Sequence, residues 1–197
     1  MNPAVETPAA DTQAIFETNF FGATRTIDVF LPLLLQAKGT IGNVGSVVSF
    51  MPMPWVSMYS ASKAALKAYT RTLRLELAPL GVNVMYLETA GVNSNAMAPK
   101  ARRQLKEGSL YEPLGDRLVR RQEEAFGEGI PASEYAKQVV SSVIRPGGWI
   151  VWAGHLSTPV RFVNWLHNLF PGNLWGFMIA RMMGFANVKL GNNLARD

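Results

Sequence analysis

Residues 39–84 read GTIGNVGSVVSFMPMPWVSMYSASKAALKAYTRTLRLELAPLGVNV, and this stretch decides the fold. The run TIGNVGSVVSF, starting at Thr40, is β-prone, and the proline-rich MPMPW after it reads as a loop. From Ser57 to Ala78 alanine, serine, leucine and lysine dominate without a glycine or proline, which predicts a helix closed by Pro79 and Gly81. VNVMYLE, Val82 to Glu88, is a second strand, apolar enough to be buried. Two strands joined through a long helix suit a parallel pair, which needs a crossover where an antiparallel pair needs only a turn.

Outward from this block the same alternation continues. Upstream, Thr7 and Pro8 suit the N-cap and N1 positions of a helix whose apolar residues run through Phe16, Phe20, Ile27 and Phe30 to Leu35, ending at Gly39. It is expected to be one long helix, bent near Gly22 and Pro32. Downstream, AGVNSNAMAP leaves the second strand as a loop, and residues 97–131 are dense in charge with little periodicity, which predicts an exposed, mobile segment of helix and loop. SEYAKQVVSSVI restores a helix and GWIVWA reads as a third strand. The remainder, residues 156–197, is apolar helical material broken at Pro171–Gly172. The class is therefore α/β, one domain over residues 1–197, with helices covering both faces of a parallel sheet.

Composition narrows the chemistry. At 197 residues, with 48% hydrophobic and 17% charged residues, the chain can bury a real core. It has no cysteine, so disulfides, thiol nucleophiles and thiolate metal sites are excluded; its two histidines, His155 and His167, are too far apart for a helical zinc pair, and no metal is expected. The net charge of +5 gathers in KARRQLK and RLVRR without interleaved aromatics, so these read as solvated faces rather than a nucleic-acid surface. MNPAVETPAADTQ has neither the basic start nor the apolar stretch of a secretory signal, which points to a cytoplasmic setting.

Within the Ser57–Ala78 helix, Tyr59 and Lys63 stand four residues apart and so share a face. A phenol is a poor acid at neutral pH, and a nearby ammonium favours its ionised form, so the pair can serve as a tuned proton donor to a carbonyl oxygen. The competing reading is an ordinary solvated stripe, since Lys67 and Arg71 continue the spacing. Ser46 ends the first strand ahead of a loop, where open α/β sheets carry ligand-binding groups. A serine hydrolase is disfavoured, because NVGSV lacks the second glycine of a nucleophile elbow.

Taken with Asn19 in ETNFFGATR, these residues resemble the Asn, Ser, Tyr and Lys tetrad of the short-chain dehydrogenases and reductases. Residues 39–84 resemble that family's central block almost throughout, and the likeness extends over residues 5–155. LPLLLQAKGTI, LRLELAPLGVNV and the apolar tail look most like a fungal branch of NADPH-dependent acyldihydroxyacetone-phosphate reductases. The resemblance implies a Rossmann-type doubly wound sheet and oxidoreductase chemistry. Tyr59 would give the proton to a substrate carbonyl, or take it back from an alcohol. Lys63 would lower the Tyr59 pKa and hold the nicotinamide ribose, Ser46 would stabilise charge on the carbonyl oxygen, and Asn19 would bend its helix and hold a water leading to Lys63. Gly91, Val92 and Ser94 would lie beside the nicotinamide and pyrophosphate, although Ala90 and Ser94 replace the family's proline and threonine. The implied cofactor is NADP(H), with NAD(H) left open because the residue that selects between them falls outside the sequence.

The family's glycine-rich phosphate loop has no counterpart here, and the resemblance implies that about four strands of the family's sheet precede Met1. The strand from Thr40 to Val44 is then expected to present an unpaired apolar edge. Two readings of function follow: an NAD(P)H-dependent reductase acting on a small lipophilic carbonyl or alcohol, or a noncatalytic chain that dimerises with a copy or with a complete homologue. In the tail, residues 162–180 carry no Asp, Glu, Lys or Arg, but Asn164, His167, Asn168, Asn173 and the Pro171–Gly172 break favour two short amphipathic helices over a membrane span. They would cover a lipophilic pocket or rest, through residues 162–185, on a membrane interface such as the endoplasmic reticulum or a lipid droplet.

Overall fold

The computed structural model describes residues 2–93, 105, 107–112, 115, 129–144, 148–169 and 174–182. Its first helix, α1 (Ala9–Phe16), has Pro8 at the N-cap in extended backbone. Thr7 does not cap it: its hydroxyl donates back to the Pro3 carbonyl at 2.9 Å. α1 runs into a π-helical turn, Glu17–Phe21, and then α2 (Gly22–Ala37). The widened turn ends at Gly22, one of the two positions where a bend is expected, and there the Gly22 N–H reaches the Glu17 carbonyl; Pro32, the other, lies inside α2. A Cβ at Gly22 would sit 3.2 Å from that carbonyl oxygen, so glycine lets the turn close.

The three strands expected from the sequence are present. β1 (Thr40–Val44) pairs parallel with β2 (Asn83–Thr89), Thr40 lying opposite Asn83. α3 (Ser57–Leu77) is the crossover between them. β3 (Val92–Asn93) and β4 (Ile130–Pro131) form a separate parallel pair, in residues that sequence alone assigns to loop. α4 (Ala132–Ile144) then leads to β5 (Ile150–Ala153), which joins β2 in parallel and completes the order β1-β2-β5. The tail forms α5 (Ser157–Leu169) and α6 (Leu174–Met182), two short helices as the sequence predicts. No described helix is long and apolar enough to cross a membrane. Most of the 97–131 segment, and the tail beyond Met182, lie outside the described residues.

β2 is central and buried from Val84 to Glu88, as expected for a strand covered on both faces. Ile27 of α2, Ile41 of β1, Leu77 of α3 and Val82 and Val84 beside them form one core cluster, with Leu31, Leu34, Tyr69 and Leu73 packed around it. This cluster fastens α2 and α3 to the sheet. A second gathers Val48, Met53, Trp55 and Val56, between β1 and α3, with Ile179 of α6. Among the described residues β1 is an edge strand, pairing with β2 alone, and Gly42 and Val44 on one of its faces are exposed. A groove of about 540 Å³ runs along it, lined by Ala23, Thr26, Phe30 and Leu34 of α2 and by the strand itself. That is the apolar edge the sequence leads one to expect.

Candidate active site

The end of β1 and the first turns of α3 bring three predicted residues together, Ser46, Tyr59 and Lys63, and the π turn adds Asn19 from the side. Ser46 leaves the strand in extended backbone and caps a short 3₁₀ turn, Val47–Ser49, its Oγ accepting the Val48 N–H at 3.4 Å. It is buried, and its hydroxyl lies near enough to Tyr59, in the first turn of α3, to lower that residue's pKa. Trp55, in the loop before α3, is held in the left-handed region at φ 71 and is buried against the ring of Tyr111. Such backbone strain in a bulky side chain is tolerated where the surroundings fix it.

Lys63, one turn beyond Tyr59, is only 9% exposed, with its Nζ 5.7 Å from the Tyr59 ring centroid. The ammonium donates to the Val44 carbonyl at 2.9 Å, and burial lowers its pKa. Asn19 lies in the π turn and reaches the site through α3: its Nδ2 donates to Ser62 Oγ at 3.0 Å, and Ser62 Oγ donates to the Tyr59 carbonyl at 2.8 Å. Its side chain therefore braces the backbone of Tyr59 itself.

Two expectations need correcting. Burial is the dominant influence on Tyr59 and pushes its pKa up; the nearby Ser46 hydroxyl pulls it down and Tyr135 adds to the rise. Lys63 is not the influence that sets it, because its ammonium is turned to the Val44 carbonyl and faces the ring rather than the hydroxyl. The solvated-stripe reading also fails. Arg71 is exposed, but Lys67 forms an ion pair with Glu88, whose side chain is fully buried, and lies over the Phe50 ring at 4.8 Å. Burial raises the Glu88 pKa, partly offset by Lys67 and by Ser49, whose Oγ donates at 3.4 Å.

Gly91 lies between β2 and β3, and Val92 opens β3. The Gly91 carbonyl accepts the N–H groups of His155 at 2.9 Å and Ile130 at 3.3 Å, so it ties β2 to β4 and to the chain after β5. Ser94 lies outside the described residues. Sequence reasoning missed Tyr86, Glu88 and Ser62. Strand alternation from Val84 puts Tyr86 and Glu88 on one face, and four-residue spacing would have set Lys63 and Lys67 above them.

Comparisons with known proteins agree with this geometry. Residues 1–105 match the family model for short chain dehydrogenases. The chain belongs to that family. It is 32% identical to the short-chain dehydrogenase srdE of Neurospora crassa over 98% of its own length and 66% of that protein's. It is 33% identical to the NADPH-dependent 1-acyldihydroxyacetone phosphate reductase of Schizosaccharomyces pombe, over 81% of its length and 58% of that protein's. This short-chain dehydrogenase chain thus spans less than two thirds of these curated relatives. Its fold is that of a Burkholderia cenocepacia short chain dehydrogenase solved in complex with NADP, with a TM-score of 0.66 at 22% identity, covering 92% of this chain and 65% of that one. The Rossmann-type class follows from this likeness and from the parallel sheet.

Proposed function

We propose that this chain carries the proton-transfer half of an NADP(H)-dependent oxidoreductase that interconverts a lipophilic carbonyl compound and its alcohol. The observation that carries the reading is the gathering of Ser46, Tyr59 and Lys63 at the carboxyl end of β1, where Lys63 is buried with its Nζ 5.7 Å from the Tyr59 ring centroid and bonded to the Val44 carbonyl. In the reductive direction the Tyr59 hydroxyl gives its proton to the carbonyl oxygen while the Ser46 hydroxyl bonds the same oxygen and stabilises the charge developing there. Tyr59 is protonated at neutral pH even at the ordinary phenol value of 10.0, so it enters the reductive step as the acid; burial raises that value and Ser46 is the neighbour that lowers it. The donor set fits the nicotinamide end of a dinucleotide: Lys63 and Tyr59 would hold the ribose, with Gly91, Val92 and Ser94 nearer the pyrophosphate. The cofactor would supply the hydride.

A lipophilic substrate is supported by what surrounds Tyr59: Val48, Met53, Trp55 and Val56, with Ile179 of α6 packed over them. The outer faces of the tail helices leave Phe162, Trp165, Leu169 and Phe177 exposed, which supports contact with a membrane interface by a cytoplasmic protein delivering such a substrate.

The test is Tyr59→Phe, assayed by NADPH consumption with a panel of apolar ketones and aldehydes. Turnover is expected to fall about 10²- to 10⁴-fold with NADPH affinity retained. Turnover equal to wild type would overturn the role given to Tyr59. The exposed Val29, Phe30 and Leu33 of α2 favour a second reading, a noncatalytic partner that dimerises with a copy or a complete homologue. A folded wild-type chain with no NADPH-dependent turnover and a concentration-dependent dimer would replace the first reading with that one.

A further inference from the structure

Tyr86 occupies the middle of β2, with none of its surface exposed. An apolar side chain would fill such a position in a parallel sheet at no polar cost, whereas a buried hydroxyl is costly unless it is bonded. Both of the bonds it makes go to backbone beside the candidate site. The Tyr86 hydroxyl donates to the Lys63 carbonyl at 3.0 Å and accepts the Ser46 N–H at 3.4 Å. The sheet ladder stops just before this point: the Gly45 N–H reaches the Leu87 carbonyl at 2.9 Å, and the next N–H, that of Ser46, is taken by the phenol. Gly45 makes this arrangement possible, because a Cβ there would lie 2.0 Å from the Tyr86 ring.

We propose that Tyr86 is a positioning residue, whose hydroxyl links the end of β1 to α3 and so holds Ser46 against Tyr59. The inference rests on the reading of Tyr59 as proton donor. Ser46 and Tyr59 belong to different elements, and for both hydroxyls to reach one carbonyl oxygen the strand end and the helix must keep one register. Tyr86 fixes that register from beneath by bonding one main-chain group of each. It touches neither substrate nor cofactor, so its effect passes through Ser46 and Lys63.

The experiment is Tyr86→Phe, which keeps the ring against Gly45 and removes only the hydroxyl. The turnover number for reduction is expected to fall about tenfold with the KM for NADPH unchanged, of the order expected when one hydrogen bond is lost. Reduction needs Tyr59 protonated, and the nearby Ser46 hydroxyl lowers its pKa; letting Ser46 drift away should therefore move the alkaline limb of the pH–rate profile upward. In a Ser46→Ala background Tyr86→Phe should cost little more, because a residue that acts by positioning the Ser46 hydroxyl has nothing left to position. Hydrogen exchange at the Ser46 amide should quicken in Tyr86→Phe whether or not turnover is measured. Unchanged exchange, an unmoved alkaline limb, or full additivity with Ser46→Ala overturns the proposal. If Tyr59→Phe turns over like wild type, the proton-donor reading falls instead, and the exchange measurement still decides whether Tyr86 holds Ser46.

Discussion

Lys63 and Lys67 stand one turn apart on the same face of α3, yet the sheet meets them with different partners. Lys63 is bonded to a main-chain carbonyl, that of Val44, and lies over the Tyr59 ring. Lys67 is paired with a carboxylate, Glu88, in the middle of the core. A buried cation facing only a carbonyl dipole keeps most of its charge for whatever enters the site, whereas a cation facing a buried carboxylate is neutralised where it stands. The difference separates a group suited to chemistry from one that holds the fold, although the sequence writes both as lysine at the same spacing.

The largest effect on stability is expected from Lys67→Met. It leaves Glu88 fully buried with only the Ser49 hydroxyl for support, and breaking a buried pair from one side costs about 3 kcal/mol. Urea unfolding at neutral pH measures it. The loss should depend on pH in a definite direction. Glu88 already has a folded pKa above its ordinary 4.5, so its contribution is fully favourable below that value and is lost as pH rises through the folded one. Removing Lys67 raises the folded value further, so the gap from wild type should be widest above neutrality and narrow on acidification. A gap that stays constant from pH 5 to about pH 8 would mean that Glu88 is not the group left unpaired.

A smaller effect is expected from Asn19→Ala. The change removes the Asn19 bond to Ser62 but leaves Ser62 bonded to the Tyr59 carbonyl. One lost side-chain hydrogen bond at a half-buried position costs about 1 kcal/mol. A loss as large as that of Lys67→Met would show that the π turn depends on Asn19, making it part of the framework on which both lysines stand.

Much of the fold was legible because its signals are local. The glycine- and proline-free run from Ser57 to Leu77, the apolar strand that follows and the break in the tail each follow from residue type and spacing. The π turn was not, because a widened turn has the composition of the helix it interrupts; Asn19 and Gly22 mark it only once the structure is known. The β3–β4 pair joins two dipeptides far apart in the chain, which no local pattern signals. The four candidate residues Asn19, Ser46, Tyr59 and Lys63 were readable through family likeness, but what lies beneath them was not. Tyr86 and Glu88 looked like an ordinary strand because their roles depend on which helix lies above the sheet.

Lys63→Met should have the smallest effect on stability, within about 1 kcal/mol of wild type. Two changes oppose each other there. The variant removes an ammonium that burial already disfavours, and it also removes the bond to the Val44 carbonyl. Val44 lies on the sheet's edge strand and is itself 51% exposed, which leaves water a route to its carbonyl. The sign can be checked with pH. A lysine whose folded pKa lies below its ordinary 10.5 favours folding above that value, and the contribution is lost as pH falls through the folded one. Wild type should therefore gain stability as pH rises into this range, and Lys63→Met should gain less. Carbonyl reduction should be lost in the same variant, although the protein remains folded. Equal destabilisation by Lys63→Met and Lys67→Met would erase the contrast and make both lysines part of one polar core; a neutral change at Lys63 with turnover abolished would assign its charge to the reaction, leaving Lys67 and Glu88 to hold the helix on the sheet.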